Sequence, residues 1–174
     1  MSTAASPQYY SGACVVMGVA SCGKTSVGEA LALKLGVGFI EGDSLHPAAN
    51  VAKMRSGSPL NDEDRWPWLA AIGKMLSGSQ GKVASCSALK RSYREMIAKA
   101  AGRPVAFVFL DGSRELLQQR INSRQGHFMP ASLLESQLAT LEAPEADEVA
   151  IRLNVAAPVD ELADQAFRWL MIPK

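Results

Sequence analysis

Five apolar runs of strand length alternate along the chain with stretches of helical period, and a glycine-rich turn joins the first run to the first helix. Together they predict an α/β fold, a mainly parallel five-stranded sheet covered by helices on both faces. The length of 174 residues and the 48% hydrophobic content suit one domain with a substantial core.

The elements follow in order. Residues 1–12 are polar and read as a disordered tail ahead of a single domain over 13–174. Ala13 to Met17 is the first strand, and Lys24 to Leu35 the first helix, closed by Gly36 at the C′ position. Val37 to Glu41 is the second strand, ended by Gly42-Asp43. His46 to Gly57 predicts a short helix with Pro47 in its opening turn. Asn61-Asp62-Glu63-Asp64 sets acids at the start of a helix reaching Leu76, where the helix dipole favours them. Val83 to Ser87 is the third strand and Lys90 to Ala101 the next helix. Val105 to Leu110 is the fourth strand, followed by a helix over 113–124 with Ser113 as N-cap. Gln125 to Pro130 interrupts the pattern, and Ser132-x-x-Glu135 matches a capping box that reopens a helix. Val149 to Val155 is the fifth strand, and Pro158 opens a last helix ending near Met171. The polar stretch over 44–80 is a candidate substrate-binding insert, and 120–140 a candidate mobile lid.

Charge and cysteine content narrow the function. Lys+Arg total 18 and Asp+Glu 17, a net charge of +1, so the chain lacks the field of a dedicated nucleic-acid binder. The longest clean apolar run, Val105 to Leu110, is too short to span a membrane, and the N-terminus has no secretory pattern. Cys14, Cys22 and Cys86 are odd in number and widely spaced, which predicts free thiols in a reducing cytoplasm and no zinc site.

Gly18-Val19-Ala20-Ser21-Cys22-Gly23-Lys24-Thr25 fits G-x-x-x-x-G-K-[ST], between a strand and a helix as the motif requires. Its glycines let backbone N–H groups curl around phosphate oxygens, and the helix N-terminus adds positive potential. Residues Gly18 to Ser26 are therefore the candidate nucleotide site, with Lys24 on the β- and γ-phosphates and the Thr25 hydroxyl on Mg²⁺. No Asn-Lys-x-Asp string marks a guanine site. Asp111, which ends an apolar strand, reads as a turn residue leading into a helix cap. Arg120 and Arg124 share a helical face beside Gly126-His127-Phe128, a placement suited to closing over a triphosphate. Cys22, beside Lys24 at a helix N-terminus, is either a reactive thiol of lowered pKa or an inert small residue.

Further blocks extend the pattern. Glu41-Gly42-Asp43-Ser44-Leu45-His46-Pro47 is followed by Asn50, Lys53 and Met54. Gly57 to Arg65 continues into Pro67-Trp68-Leu69, and Cys86-Ser87-Ala88-Leu89-Lys90 precedes Tyr93 and Arg94. Arg124-x-Gly126-His127-Phe128 and Leu141-Glu142-x-Pro144 complete the set. On these blocks the chain resembles the small P-loop gluconate kinases, relatives of shikimate and adenylate kinases, over nearly its whole length after the tail.

The resemblance implies a three-layer P-loop fold with strand order 2-3-1-4-5. It also implies ATP-dependent phosphorylation of D-gluconate to 6-phosphogluconate with Mg²⁺, and a homodimer. Gluconate is an anionic polyol, so its site needs cations and hydrogen-bonding groups. His46, Lys53, Lys90 and Arg94 are candidates for these, and Tyr93 either donates to substrate or packs. Asp43 orients or deprotonates the attacking hydroxyl; otherwise it is a turn residue or an acceptor for Mg²⁺ waters. Trp66 and Trp68 read as packing anchors. Lys24, Lys53, Lys90, Arg94, Arg120 and Arg124 are expected to converge on one cleft while acids such as Glu63, Glu145 and Glu161 lie elsewhere. A kinase for another small hydroxy acid such as shikimate, and a non-enzymatic nucleotide-sensing module, are the competing readings.

Overall fold

The five strands are β1 (Ala13–Met17), β2 (Gly38–Glu41), β3 (Lys82–Ser85), β4 (Val105–Asp111) and β5 (Ala150–Asn154) in a computed structural model that describes residues 9–124 and 131–173. All neighbours pair in parallel in the order β2-β3-β1-β4-β5, the order that the resemblance implies. β1 lies at the centre, and its five residues are all buried, which explains an apolar run without polar alternation. β2 is an edge strand, half-buried and shorter than Val37 to Glu41.

Helix α1 (Lys24–Leu35) leads from β1 towards the β2 edge, whereas α4 (Arg91–Ala101) leads from β3 across to β4. These crossovers run in opposite directions, so right-handed connections place the two helices on opposite faces. α1 packs with α7 (Val159–Met171), and α3 (Asp62–Leu76) packs with α4. Val27, Leu31 and Ala32 of α1 and Leu69, Ile72 and Leu76 of α3 are at most 2% exposed. Burying each of the valine, leucine and isoleucine side chains stabilises by about 1.5–3 kcal/mol.

The helix ends obey local chemistry. Gly36 closes α1 at φ 68°, in the left-handed region, and its N–H reaches the Leu33 carbonyl. Asn61 caps α3 in a reciprocal box: its side chain accepts from Asp64 N–H while Asp64 accepts from Asn61 N–H, each at 2.9 Å. Ser113 caps α5 (Arg114–Ser123) through the Leu116 N–H.

Three expectations change. Ser132 lies inside α6 (Ala131–Thr140), not ahead of it, and Glu135 pairs with Arg114 in place of a capping role. Ser87, expected to end the third strand, lies beyond it, because Ala88 adopts a left-handed φ of 45° and turns the chain towards α4. Tyr10 to Gly12, assigned to the tail, are tied down. Tyr10 packs on the core, Arg103 donates to the Ser11 carbonyl at 2.8 Å, and Lys82 N–H donates to Gly12 at 3.0 Å. Residues 1–8 lie outside the described residues, as do Gly126, His127 and Phe128 of the expected lid.

Gly73 sets the approach of α3 to α4. A Cβ built there would stand 2.5 Å from both Ala100 Cβ and the Ile97 carbonyl oxygen. Gly73→Ala is expected to destabilise the protein by about 1–3 kcal/mol through overpacking. Urea unfolding checks this by a lower midpoint at an unchanged slope.

Candidate active site

The carboxyl ends of β1, β2 and β3 build the site. After β1 the loop turns through Gly18 (φ 148°), Ser21 (φ 64°) and Gly23 (φ 96°) before α1 starts at Lys24. Side chains rarely adopt these dihedrals, and at Gly18 space is short as well: a Cβ would lie 2.7 Å from Cys22 Sγ and 2.8 Å from the Leu110 carbonyl oxygen. Lys24 Nζ donates to the Val19 carbonyl at 3.0 Å, which folds the ammonium back over the loop. Gly18 N–H reaches the Ser87 carbonyl at 3.3 Å and joins the loop to the turn after β3.

Glu41, at the end of β2, pairs in register with Ser85 of β3. Its carboxylate accepts from Thr25 Oγ1 at 2.5 Å and from Ser85 Oγ at 2.6 Å. Ser85 Oγ in turn accepts from Gly42 N–H at 3.1 Å. Glu41 is thus a site residue that the phosphate-loop motif does not include; its signal in the sequence is an acid ending the second strand.

A single 3₁₀ turn, Gly42–Leu45, then carries Asp43 and leads to His46 and α2 (Ala48–Arg55). Trp68 is 2% exposed, donates to the Gly42 carbonyl at 2.8 Å and stacks on His46 with ring centroids 3.9 Å apart. It is a packing anchor. Burial lowers the His46 pKa more than nearby Asp43 raises it, so the ring is held neutral. Asn50 Nδ2 donates to the Asp64 carbonyl at 2.9 Å and lies 3.3 Å from His46 Nδ1. A carbonyl can only accept, so that atom is the amide nitrogen. His46 Nδ1 therefore accepts and the ring proton sits on Nε2. His46 offers a neutral donor, not a charge.

An open cleft of about 650 Å³ is lined by Ala20, Lys24, Asp43, His46, Arg65, Trp68, Ser87, Leu89, Leu133, Ser136 and Gln137 among others. Lys24, Asp43 and His46, which the sequence singled out, meet here. Among the described residues none donates to the Asp43 carboxylate, which is exposed.

Of the other expected cations, Lys53, Lys90 and Arg94 do not line this cleft, whereas Arg120 lies near enough to the phosphate loop to act on Cys22. Lys53 pairs with Asp64 at 2.6 Å and Lys90 with Asp62 at 3.2 Å, and neither lines the cleft. Arg94 is 2% exposed and does not line it. It makes a bidentate pair with Glu148, Nε–Oε1 2.6 Å and Nη2–Oε2 3.0 Å, and donates through Nη1 to the Ala88 carbonyl at 2.9 Å. That pairing holds the Glu148 carboxyl below its usual range. Tyr93 is 1% exposed, donates to Asp62 and accepts from Arg65 Nη1 at 3.0 Å. Arg65, absent from the sequence-based selection, is the cation that joins Lys24 in the cleft. Arg120 donates to the Val155 carbonyl at 2.7 Å, and Arg124 is exposed at the end of α5. Asp111 pairs with Arg152 across β4 and β5 at 2.6 Å.

Residues 14–144 match the family profile of an AAA domain. A gluconokinase of Gluconobacter oxydans is 49% identical over 158 residues, 88% of each chain. The chain belongs to the gluconokinase family. The thermosensitive gluconokinase of Escherichia coli is 40% identical, over 87% of this chain and 83% of its own. The crystal structure of a gluconokinase from Sinorhizobium meliloti 1021 superposes with a TM-score of 0.86 at 51% identity, covering 94% of this chain and 93% of the other. A shikimate kinase from Aquifex aeolicus, 14% identical with a TM-score of 0.58, shares the fold alone.

This gluconokinase-family member carries a thiol inside its phosphate loop, and the reactive reading of Cys22 does not hold. The side chain is 1% exposed, and burial raises its pKa more than Lys24 and Arg120 lower it. Burial also pushes Cys86 up to about 12, and Cys14 is buried too. Iodoacetamide at neutral pH is therefore expected to leave Cys22 unmodified in the native protein and to modify it on unfolding, as peptide mass mapping reads out.

Proposed function

We propose that the chain catalyses ATP-dependent phosphorylation of D-gluconate to 6-phospho-D-gluconate, a step of carbohydrate-acid metabolism. The observation that carries the reading is one cleft in which the phosphate loop meets Asp43, His46 and Arg65. It joins a phosphate-binding wall to a wall suited to an anionic polyol.

Each residue has a physical task. Backbone N–H groups over Gly18 to Ser26 and the Lys24 ammonium bind the β- and γ-phosphates. Arg65, 9% exposed and fixed against Tyr93, offers a guanidinium for the substrate carboxylate, and His46 Nε2–H offers a donor to a hydroxyl. Asp43 accepts from the attacking hydroxyl and orients it, and transfer through a loose transition state gains chiefly from such positioning. Lys53, Lys90 and Arg94 through their ion pairs, and Tyr93 through hydrogen bonds to Asp62 and Arg65, support the walls of the site. Arg120 and Arg124 belong to the lid proposed over 120–140, where their charge would neutralise triphosphate oxygens.

Mg²⁺ fits the residues present. It prefers oxygen donors and keeps several waters, and the Thr25 hydroxyl and Glu41 carboxylate are two oxygen ligands in contact with each other. When bound, the ion neutralises charge developing on the β- and γ-phosphates. The buried free thiols support a cytoplasmic location, and resemblance to bacterial family members supports a homodimer. No described helix is long and apolar enough to cross a membrane.

An ADP-release assay over a panel of sugar acids and shikimate tests the reading. Release that depends on gluconate is expected. Release with another acid alone, or with none of them while ATP binds, would overturn it.

A further inference from the structure

We propose that Gln137 is a further substrate-positioning residue, whose side-chain amide is oriented by the phosphate loop so that its NH₂ group donates to an anionic oxygen in the cleft. This rests on the kinase reading of the same site.

The backbone N–H of Ala20 donates to Gln137 Oε1 at 2.7 Å, across 117 residues of sequence. A backbone N–H can only donate, so the atom facing it is the amide oxygen, and the planar group must turn its nitrogen the other way. Gln137 is half-buried and lines the cleft together with Ala20, Lys24, Asp43 and Arg65. Among the described residues, none accepts from its Nε2. With respect to the described residues, two N–H donors are thus left to a ligand, on a group held by one hydrogen bond.

The half of the 120–140 segment that carries Gln137 is anchored at both ends. Leu133 and Leu134, one turn earlier in α6, are 5% and 0% exposed. At the helix exit, Glu142 N–H donates to the Leu89 carbonyl at 2.7 Å, in the turn whose Ser87 carbonyl accepts from Gly18. Gln137 is therefore tied both to the phosphate loop and to the turn on the opposite wall of the cleft. Its amide has acceptors available from two sources, the phosphoryl oxygens of the nucleotide and the carboxylate or hydroxyl oxygens of the acid. The shared chemistry is a neutral donor to an oxygen of an anion.

Two variants and one spectroscopic readout test this. Gln137→Met keeps the length and removes both halves of the amide. Gln137→Glu keeps an acceptor for Ala20 and removes the donor. Both are expected to lower kcat/KM for gluconate by roughly 10- to 100-fold, the range for losing a hydrogen bond to a charged group. In the wild type, selective ¹⁵N-glutamine labelling resolves the Gln137 amide, assigned by its absence in Gln137→Met. Its protons are expected to shift and exchange more slowly with water when ligand binds. A response to gluconate alone assigns the donor to the acid; a response only to a non-hydrolysable ATP analogue assigns it to the phosphoryl group. Wild-type turnover by Gln137→Glu, or an amide unmoved by either ligand, would overturn the inference. If Gln137→Met fails to fold, the glutamate variant and the wild-type exchange rates still decide. Wild-type protein without gluconate-dependent ADP release would instead sink the kinase reading itself.

Discussion

The Glu41 carboxylate is the junction on which the site depends. It ends an edge strand, yet it accepts from Thr25 at the start of α1 and from Ser85 at the end of β3. Ser85 passes the constraint on to Gly42, where a Cβ would stand only 1.9 Å from the Ser85 carbonyl oxygen. Only glycine allows that approach. The phosphate loop, the acid-bearing turn and the third strand are thereby fixed relative to one another before any ligand arrives, and such preorganisation is what a positioning enzyme needs.

From that junction the substrate wall follows by packing. Trp68 locks the Gly42 carbonyl and carries His46 on its face, while Asn50 sets the His46 tautomer. On the far side, buried Arg94 and Glu148 clamp the left-handed Ala88 turn. A buried pair of this kind contributes little net stability but costs several kcal/mol when one partner is removed, about 3–5. It fixes the shape of the turn, and with it where Ser87 and Leu89 face the cleft.

Much of this was legible in the sequence where the signals are local. The strands and the phosphate loop follow from apolar runs, glycines and a fixed motif spacing, and the Asp43–His46 block from the family resemblance. What was not legible depends on partners far along the chain. Arg94 looked like a substrate cation because Glu148, 54 residues away, could not be paired with it from spacing. Gln137 carried no signal, since its partner is a backbone N–H. Lys53 and Lys90 are paired for another reason: Asp62 and Asp64, which suit the dipole at the start of α3, also neutralise those lysines. The net charge of +1 therefore hides a smaller positive cleft than expected, in which Arg65 joins Lys24.

We propose that this frame presents Asp43 to the acceptor hydroxyl while the phosphate loop independently holds the nucleotide. Asp43→Asn separates the two most directly, through single-turnover kinetics measured beside the Kd for ATP. In this variant kcat is expected to fall by roughly 100-fold or more with ATP affinity unchanged. Turnover near the wild-type rate, or a loss confined to ATP binding, would contradict it.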